Sequence, residues 1–273
     1  MEVADTPALE LRYRAAGSGR PLVLLHAFPV DGRLYDGQLS AADAGRIQAR
    51  LIAVDLPGFG ASPLPEPAPD VLTVEQIADA LGELIVREGW TGAIVGGVAI
   101  GGYSAIELAD RRPDLVAGLV LFGCKAATDS PAMAPKREEV AQLALTGGAS
   151  AVAEELHAQP LGQQADGAVR ARMRDMISEA DPRAIAALVR GIARRPDPSA
   201  ALARLNVPAL VVAGENDPFS HLEDVRQAAR LLPNAEFVII KGIGHMAPLE
   251  APIAVTRALA SFVERLGGDK SNG

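Results

Sequence analysis

The sequence predicts an α/β fold, a mostly parallel, doubly wound sheet with an inserted helical lid. Three observations carry that expectation. Short apolar runs recur without the polar alternation of a half-exposed strand, and strands buried on both faces belong to parallel sheets covered by helices. Amphipathic helical stretches alternate with those runs, which is the pattern of α/β architecture. Residues 128–203 interrupt the alternation with helical patterns but no convincing strand.

In chain order, the period-2 stretch Leu9-Glu10-Leu11-Arg12-Tyr13 predicts an antiparallel edge strand ahead of the parallel core. Residues 22–25, 51–54, 93–95, 119–122, 209–212 and 237–240 then read as strands buried on both faces. Helix patterns lie at Val74–Arg87, Ile100–Arg111, Leu222–Leu231 and 253–266. The block 128–203 is Ala-, Arg- and Glu-rich and punctuated by Pro160, Pro182, Pro196 and Pro198. Set between two buried strands, it reads as a cap (128–203) inserted in a core formed by 1–127 and 204–273. Such a lid sits where open α/β sheets bind ligands, beyond the carboxyl ends of their strands. The tail 267–273, rich in Gly and polar residues, is expected to fray.

Composition narrows the function classes. With 273 residues, 49% hydrophobic and 22% charged, the chain can bury one large core and has none of the bias of disordered, collagen-like or coiled-coil sequences. Its unbroken apolar runs, about five to eight residues, are too short to span a bilayer. A net charge of −8 argues against a nucleic-acid partner. The single cysteine, Cys124, excludes an internal disulfide, and no Cys/His cluster has structural-zinc spacing. The acidic start Met1-Glu2-Val3-Ala4-Asp5 lacks a basic and then apolar leader, so a cytoplasmic location is expected.

The decisive segment is Val95-Gly96-Gly97-Val98-Ala99-Ile100-Gly101-Gly102-Tyr103. It leaves a buried strand and opens a helix with the glycine spacing of a G-x-S-x-G nucleophile elbow. That turn needs small residues two places either side of its centre, and Gly97 and Gly101 supply them. The centre is Ala99 instead of serine. The Gly-rich segment has neither the Lys-Ser/Thr of a P-loop nor G-x-G-x-x-G spacing, so no nucleotide is implied. Downstream, Gly214-Glu215-Asn216-Asp217-Pro218 and Gly242-Ile243-Gly244-His245-Met246-Ala247-Pro248 follow the last two predicted strands. Near the start lie Leu24-Leu25-His26-Ala27-Phe28-Pro29 and, further on, Asp55-Leu56-Pro57-Gly58-Phe59-Gly60-Ala61-Ser62.

On these segments, in this order, the chain resembles the α/β-hydrolase family over nearly its whole length, close to its small esterases, lactonases and cofactor-free haloperoxidase-like members. The resemblance implies an α/β-hydrolase fold, with Asp217 as triad acid, His245 as general base and position 99 as that of the nucleophile. It also implies that the backbone N–H groups of Phe28 and Ile100 form the oxyanion hole, with Ala27 standing where the family has glycine. Asp55 to Ser62 matches the family signature D-x-x-G-x-G-x-S, read here as a shaped turn. No metal, flavin or other cofactor is implied.

The remaining candidates have plainer readings. Asp129 is the fallback acid, and His26 is expected to brace its own loop. His157 and His221 read as surface residues. Ser104 lacks flanking glycines and is a poor nucleophile. Tyr103 and Cys124 are assigned to the substrate pocket, although a lone cysteine is more often a small buried apolar side chain. Arg194-Arg195 offers a grip on an acidic substrate, against the default of a solvated face.

Alanine at the elbow has no lone pair and no proton to give up, so an acyl-enzyme cannot form at position 99. One explanation is a serine-to-alanine substitution in a hydrolase of small esters, lactones or thioesters. The other is a natural non-hydrolytic protein of this fold: a ligand binder, or a cyclase using His245 as base. A cofactor-free haloperoxidase-type perhydrolase is a third. Retention of every other part of the machinery favours the first.

Overall fold

The structure is a computed structural model and describes residues 9–268. A seven-stranded sheet forms its centre, in the spatial order β1-β3-β2-β4-β5-β6-β7. Its first strands are β1 (Arg12–Ala16) and β2 (Arg20–Leu25), followed by a 3-10 turn and helix α1 (Asp36–Asp43). Then come β3 (Ala49–Asp55), α2 (Val74–Arg87), β4 (Ala93–Val98), α3 (Ile100–Arg111) and β5 (Val116–Phe122). Four helices follow without an intervening strand: α4 (Met133–Leu156), α5 (Gly167–Ser178), α6 (Pro182–Arg194) and α7 (Ser199–Arg204). The chain closes with β6 (Ala209–Gly214), α8 (Leu222–Leu231), β7 (Ala235–Ile240), the short α9 (Ala247–Glu250) and α10 (Pro252–Gly268).

All neighbouring strands pair in parallel except β1, which runs antiparallel to β3 at the edge. The expected edge strand is therefore present but starts at Arg12. β7 differs from expectation: it is the opposite edge, only partly covered, with Ile239 exposed. Its apolar run resembles that of a central strand because one face still packs on the core. The predicted fraying of 267–273 lies mostly outside the described residues, while Gly267 and Gly268 still belong to α10.

Local signals mark the starts of two helices, α2, whose range the sequence pattern predicts, and α6, which lies in the undivided helical pattern of 128–203. α2 starts at a capping box, with Thr73 Oγ1 accepting from Gln76 N–H and Gln76 Oε1 accepting from Thr73 N–H. α6 begins with Pro182 behind Asp181, whose carboxylate accepts from Arg183 N–H. α1 gave no such signal: its N-cap is Tyr35 without a side-chain bond, and it went unpredicted. In the inserted block α4 breaks at Gly148 (φ 76°) and packs along α5 and α6, whereas α7 packs on α3 and α8.

The Asp55–Ser62 signature is a structural turn at the carboxyl end of β3. Asp55 Oδ1 accepts from Gly32 N–H at 2.7 Å and Oδ2 from Ala61 N–H at 2.9 Å. Ser62 Oγ donates to Asp55 O and accepts from Arg12 N–H, tying β1 to the turn. A Cβ at Gly60 (φ 55°) would lie 2.4 Å from the Asp55 carboxylate, so glycine is required there. Because Asp55 is buried, Asp55→Ala should lower the unfolding free energy by about 3 kcal/mol, as two charge-assisted bonds are lost and two N–H groups stranded. Urea denaturation followed by circular dichroism checks this. A loss below about 1 kcal/mol would show that the turn does not need its carboxylate.

Candidate active site

Every candidate segment leaves the sheet at the carboxyl end of a strand. The parallel register sets Leu25 of β2 beside Gly97 of β4, and Val98 beside Phe122 of β5. β4 then turns into α3 through Ala99, at φ 47° and ψ −111°, the only non-glycine residue with positive φ among the described residues. Such a conformation costs an L-residue on the order of 1–2 kcal/mol. Its neighbours hold it: Ala99 N–H donates to Phe122 O at 3.0 Å, and Ala99 O accepts from Tyr103 N–H at 2.9 Å. A Cβ on Gly97 or on Gly101 would lie 2.4 Å from Leu25 O, so both elbow glycines are required by close backbone approach.

Ile100 begins α3, and a first-turn N–H has no carbonyl one turn earlier to bond. That end of the helix favours negative charge. The loop after β2 brings Phe28 to the same cavity, which Ala99, Ile100, Tyr103 and His245 also line. Ala27 does not take up a positive φ, so replacing glycine there leaves the loop unstrained. His26 braces that loop, as expected. It is wholly buried, with Nδ1–H donating to Ala27 O and Nε2 accepting from Leu56 N–H, each at 2.9 Å.

His245 and Asp217 meet across the loops after β7 and β6, with Nδ1 2.6 Å from Asp217 Oδ2 and both side chains buried. Asp217 Oδ1 accepts from Phe219 N–H and Ser220 N–H, and this orients the carboxylate. Gly123 leaves room for the pair, since a Cβ there would come within 3.0 Å of His245 Nδ1 and Asp217 Oδ2. Ser220 Oγ donates to Gly123 O and Asn216 N–H to Ile243 O, joining the three loops. Sequence reasoning missed Glu250. Its carboxylate accepts from Gly162, Gly244 and Met246 N–H at 2.7–3.0 Å, clamping both sides of His245 to the segment between α4 and α5. A carboxylate three residues into a helical run reads from sequence as an ordinary surface charge.

Some candidates move. Cys124 is not part of the cavity wall: its thiol lies against α3, close to Gly102. Burial pushes that thiol up to about 12, although Arg195 opposes the shift, so it stays protonated. Asp129 does not approach His245. It pairs with Arg137 at 2.9 Å and Lys125 at 3.4 Å; burial alone would raise its carboxyl pKa, but these cations and Arg195 hold it below the usual range. Ser104 is buried and spends its hydroxyl on Ile100 O. His221 is exposed and His157 half-buried, with its Nδ1 on Ala153 O.

The default reading of Arg194-Arg195 as a solvated face holds only for Arg194. Arg195 is buried, its guanidinium stacked 3.9 Å from the Tyr103 ring centre and donating to Ala127 O. The Tyr103 phenol, which burial keeps un-ionised, accepts from Lys125 N–H. Among the described residues no cluster of three or more His, Cys, Asp or Glu could hold a metal, and no helix is long and apolar enough to cross a membrane.

Comparison with known proteins agrees with this fold. The sequence pattern of the Alpha/beta hydrolase family matches residues 22–259. A thermophilic esterase from Thermogutta terrifontis, solved with malate bound, matches at a TM-score of 0.89 and 33% identity, over 96% of each chain. The pimeloyl-[acyl-carrier protein] methyl ester esterase of Aeromonas salmonicida is 29% identical over 263 residues, covering 90% of this chain and 96% of that one. The enol-lactonase of Burkholderia xenovorans LB400 shares the fold, with a TM-score of 0.83 and 24% identity over 96% of this chain and 99% of that one. The chain belongs to the alpha/beta hydrolase family.

Burial of His26 depresses its pKa, outweighing the opposite pull of Asp55, Asp31 and the Ala27 carbonyl. The unfolded chain takes up this proton below about pH 6.5, whereas the native imidazole stays neutral to lower pH. The stability it confers is therefore full above about pH 6.5 and is lost as pH falls from there toward the folded-state value. The urea midpoint should fall between about pH 7 and pH 5, and His26→Gln should flatten that slope. An unchanged slope in the variant would exclude His26 as its source.

Proposed function

We propose that this member of the alpha/beta hydrolase family has a site built for acyl transfer from a small ester, lactone or thioester to water, held in this chain without its nucleophile. The observation that carries the reading is the buried His245–Asp217 pair opening on the same cavity as Ala99 and the amino end of α3. Named activities among the relatives, an esterase, a methyl ester esterase and an enol-lactonase, support the substrate class. The strain at Ala99 supports it too. A turn with positive φ is relieved by glycine, and a side chain there is useful only if its first atoms must face the cavity.

In the proposed reaction the substrate carbonyl lies over position 99, its oxygen facing the N–H groups of Phe28 and Ile100. Two such preorganised donors each lower the barrier by about 3 kcal/mol when charge develops on that oxygen. His245, its Nδ1–H held by Asp217, has Nε2 available to take a proton from a hydroxyl at position 99 and return it to the leaving group. Asp217 stabilises the resulting imidazolium. The Ala99 methyl cannot attack, so substrate docks and persists. Residues 128–203 act as a cap, and the apolar side chains of Val140, Leu156 and Ile192 in the cavity wall support that role.

Ala99→Ser should raise hydrolysis of p-nitrophenyl butyrate by at least about 10³-fold, with burst kinetics and labelling by a fluorophosphonate. Adding Asp217→Asn should remove about 10⁴-fold of the restored rate. The protein as written should bind the same ester and return it intact after hours. If the folded serine variant neither labels nor turns over esters, lactones or thioesters, the hydrolase reading fails. Conversion by the unsubstituted chain to a rearranged product, dependent on His245, would identify a non-hydrolytic enzyme instead.

A further inference from the structure

The wall facing the proposed reaction centre has a different chemistry. Four cationic side chains line the cavity (Lys125, Lys136, Arg137 and Arg195) against a single carboxylate, Asp129. Three of the four converge on that carboxylate: Arg137 at 2.9 Å, Lys125 at 3.4 Å and Arg195 at 3.9 Å. One negative charge shared among three cations leaves most of their charge unneutralised, and Lys136 makes no ion pair among the described residues. The excess of three positive charges is unusual in a chain of net charge −8, whose other ion pairs lie mostly on the surface.

The cluster is also built rather than scattered. Arg195 is buried, stacked on Tyr103 and bonded to Ala127 O, yet its Nη1 is the one buried side-chain nitrogen among the described residues without a hydrogen-bond partner. A guanidinium N–H left unpaired in the interior is costly, and a negative charge brought into the cavity above Arg195 would offset part of that cost electrostatically, without direct contact. Lys125 is fixed to the same assembly through its backbone N–H on the Tyr103 hydroxyl. Tyr103 lies one helical turn after Ala99, so the cationic wall and the elbow share helix α3. The rest of the lining is largely apolar, which strengthens the field of these charges.

We propose that the cavity selects esters or lactones carrying a carboxylate at the end remote from the scissile carbonyl, with Lys125, Lys136 and Arg137 as the anion subsite and Arg195 positioning it from beneath. The assignment rests on the preceding reading for where the carbonyl lies, but the anion subsite itself does not need a nucleophile.

Two kinds of experiment separate the claims. On the Ala99→Ser background, the glutarate half-ester of p-nitrophenol is compared with p-nitrophenyl pentanoate, and 4-acetoxybenzoate with phenyl acetate, so that either side of the ester can carry the charge. At least one charged probe should exceed its neutral partner tenfold or more in kcat/KM. The ratio should shrink as ionic strength rises from about 0.02 to 0.5 M. Lys136→Gln, at an exposed position, should narrow the same ratio severalfold, and adding Arg137→Gln should narrow it further. Independently, calorimetric titration of the unsubstituted protein with monoethyl glutarate should show salt-sensitive binding that ethyl pentanoate lacks. Brisk hydrolysis with ratios near one, insensitive to salt and to Lys136→Gln, would overturn the anion subsite and leave the hydrolase standing. Salt-sensitive binding of the half-ester without turnover by the serine variant would do the reverse.

Discussion

Two backbones meeting at Gly97 and Gly101 set the geometry of everything at the carboxyl edge of the sheet. With Leu25 O only 2.4 Å from where either Cβ would stand, β4 and α3 can pass β2 only as bare chain. At that crossing the chain reverses through Ala99, and the first turn of α3 starts beside the end of β2. The loop carrying Phe28 is thereby brought to the same cavity as Ile100. The strained residue is held from both sides, by Phe122 O on β5 and by Tyr103 N–H on α3. Strain of this kind persists only where the surroundings over-determine it, and here the surroundings are the two central strands and the central helix.

Around that turn, polar groups are paired with little slack. Asp217 spends one oxygen on two backbone N–H groups and the other on His245, so a buried carboxylate is saturated with donors. His26 uses both ring nitrogens on the backbone of two different loops. Asp55 does the same with its two oxygens. Each is a polar residue in the core whose cost is offset because its bonds are made, apart from the Asp217–His245 pair, to loop main chain. The result is an edge of loops joined to one another, not merely to their own strands.

The legible part of the sequence was the part set by local rules. α2, α3 and α8 span the residues that amphipathic periodicity marks, and the loops bearing Asp217 and His245 follow strands as expected. The signature Asp55–Ser62 read correctly as a turn because its glycines and acid act within a few residues. What remained hidden depends on long-range packing. β7 is an edge strand because no further strand follows it in space, a fact its own residues do not encode. Arg195 is stacked on Tyr103, far away in sequence, and Cys124 packs against Gly102 of α3 instead of the cavity. Glu250 partners backbone N–H groups, which carry no side-chain signature at all.

Glu250 also gives the site a property that none of its distances states singly. The N–H groups on both sides of His245 and one from the segment preceding α5 converge on one carboxylate, so these stretches are tied to a single anchor. His245 N–H itself donates to Pro160 O, closing the same ring from the other direction. An imidazole mounted this way has little freedom to drift. The backbone on either side of the imidazole is thus fixed by bonds that do not involve the ring, so the ring's position is set before anything enters the cavity.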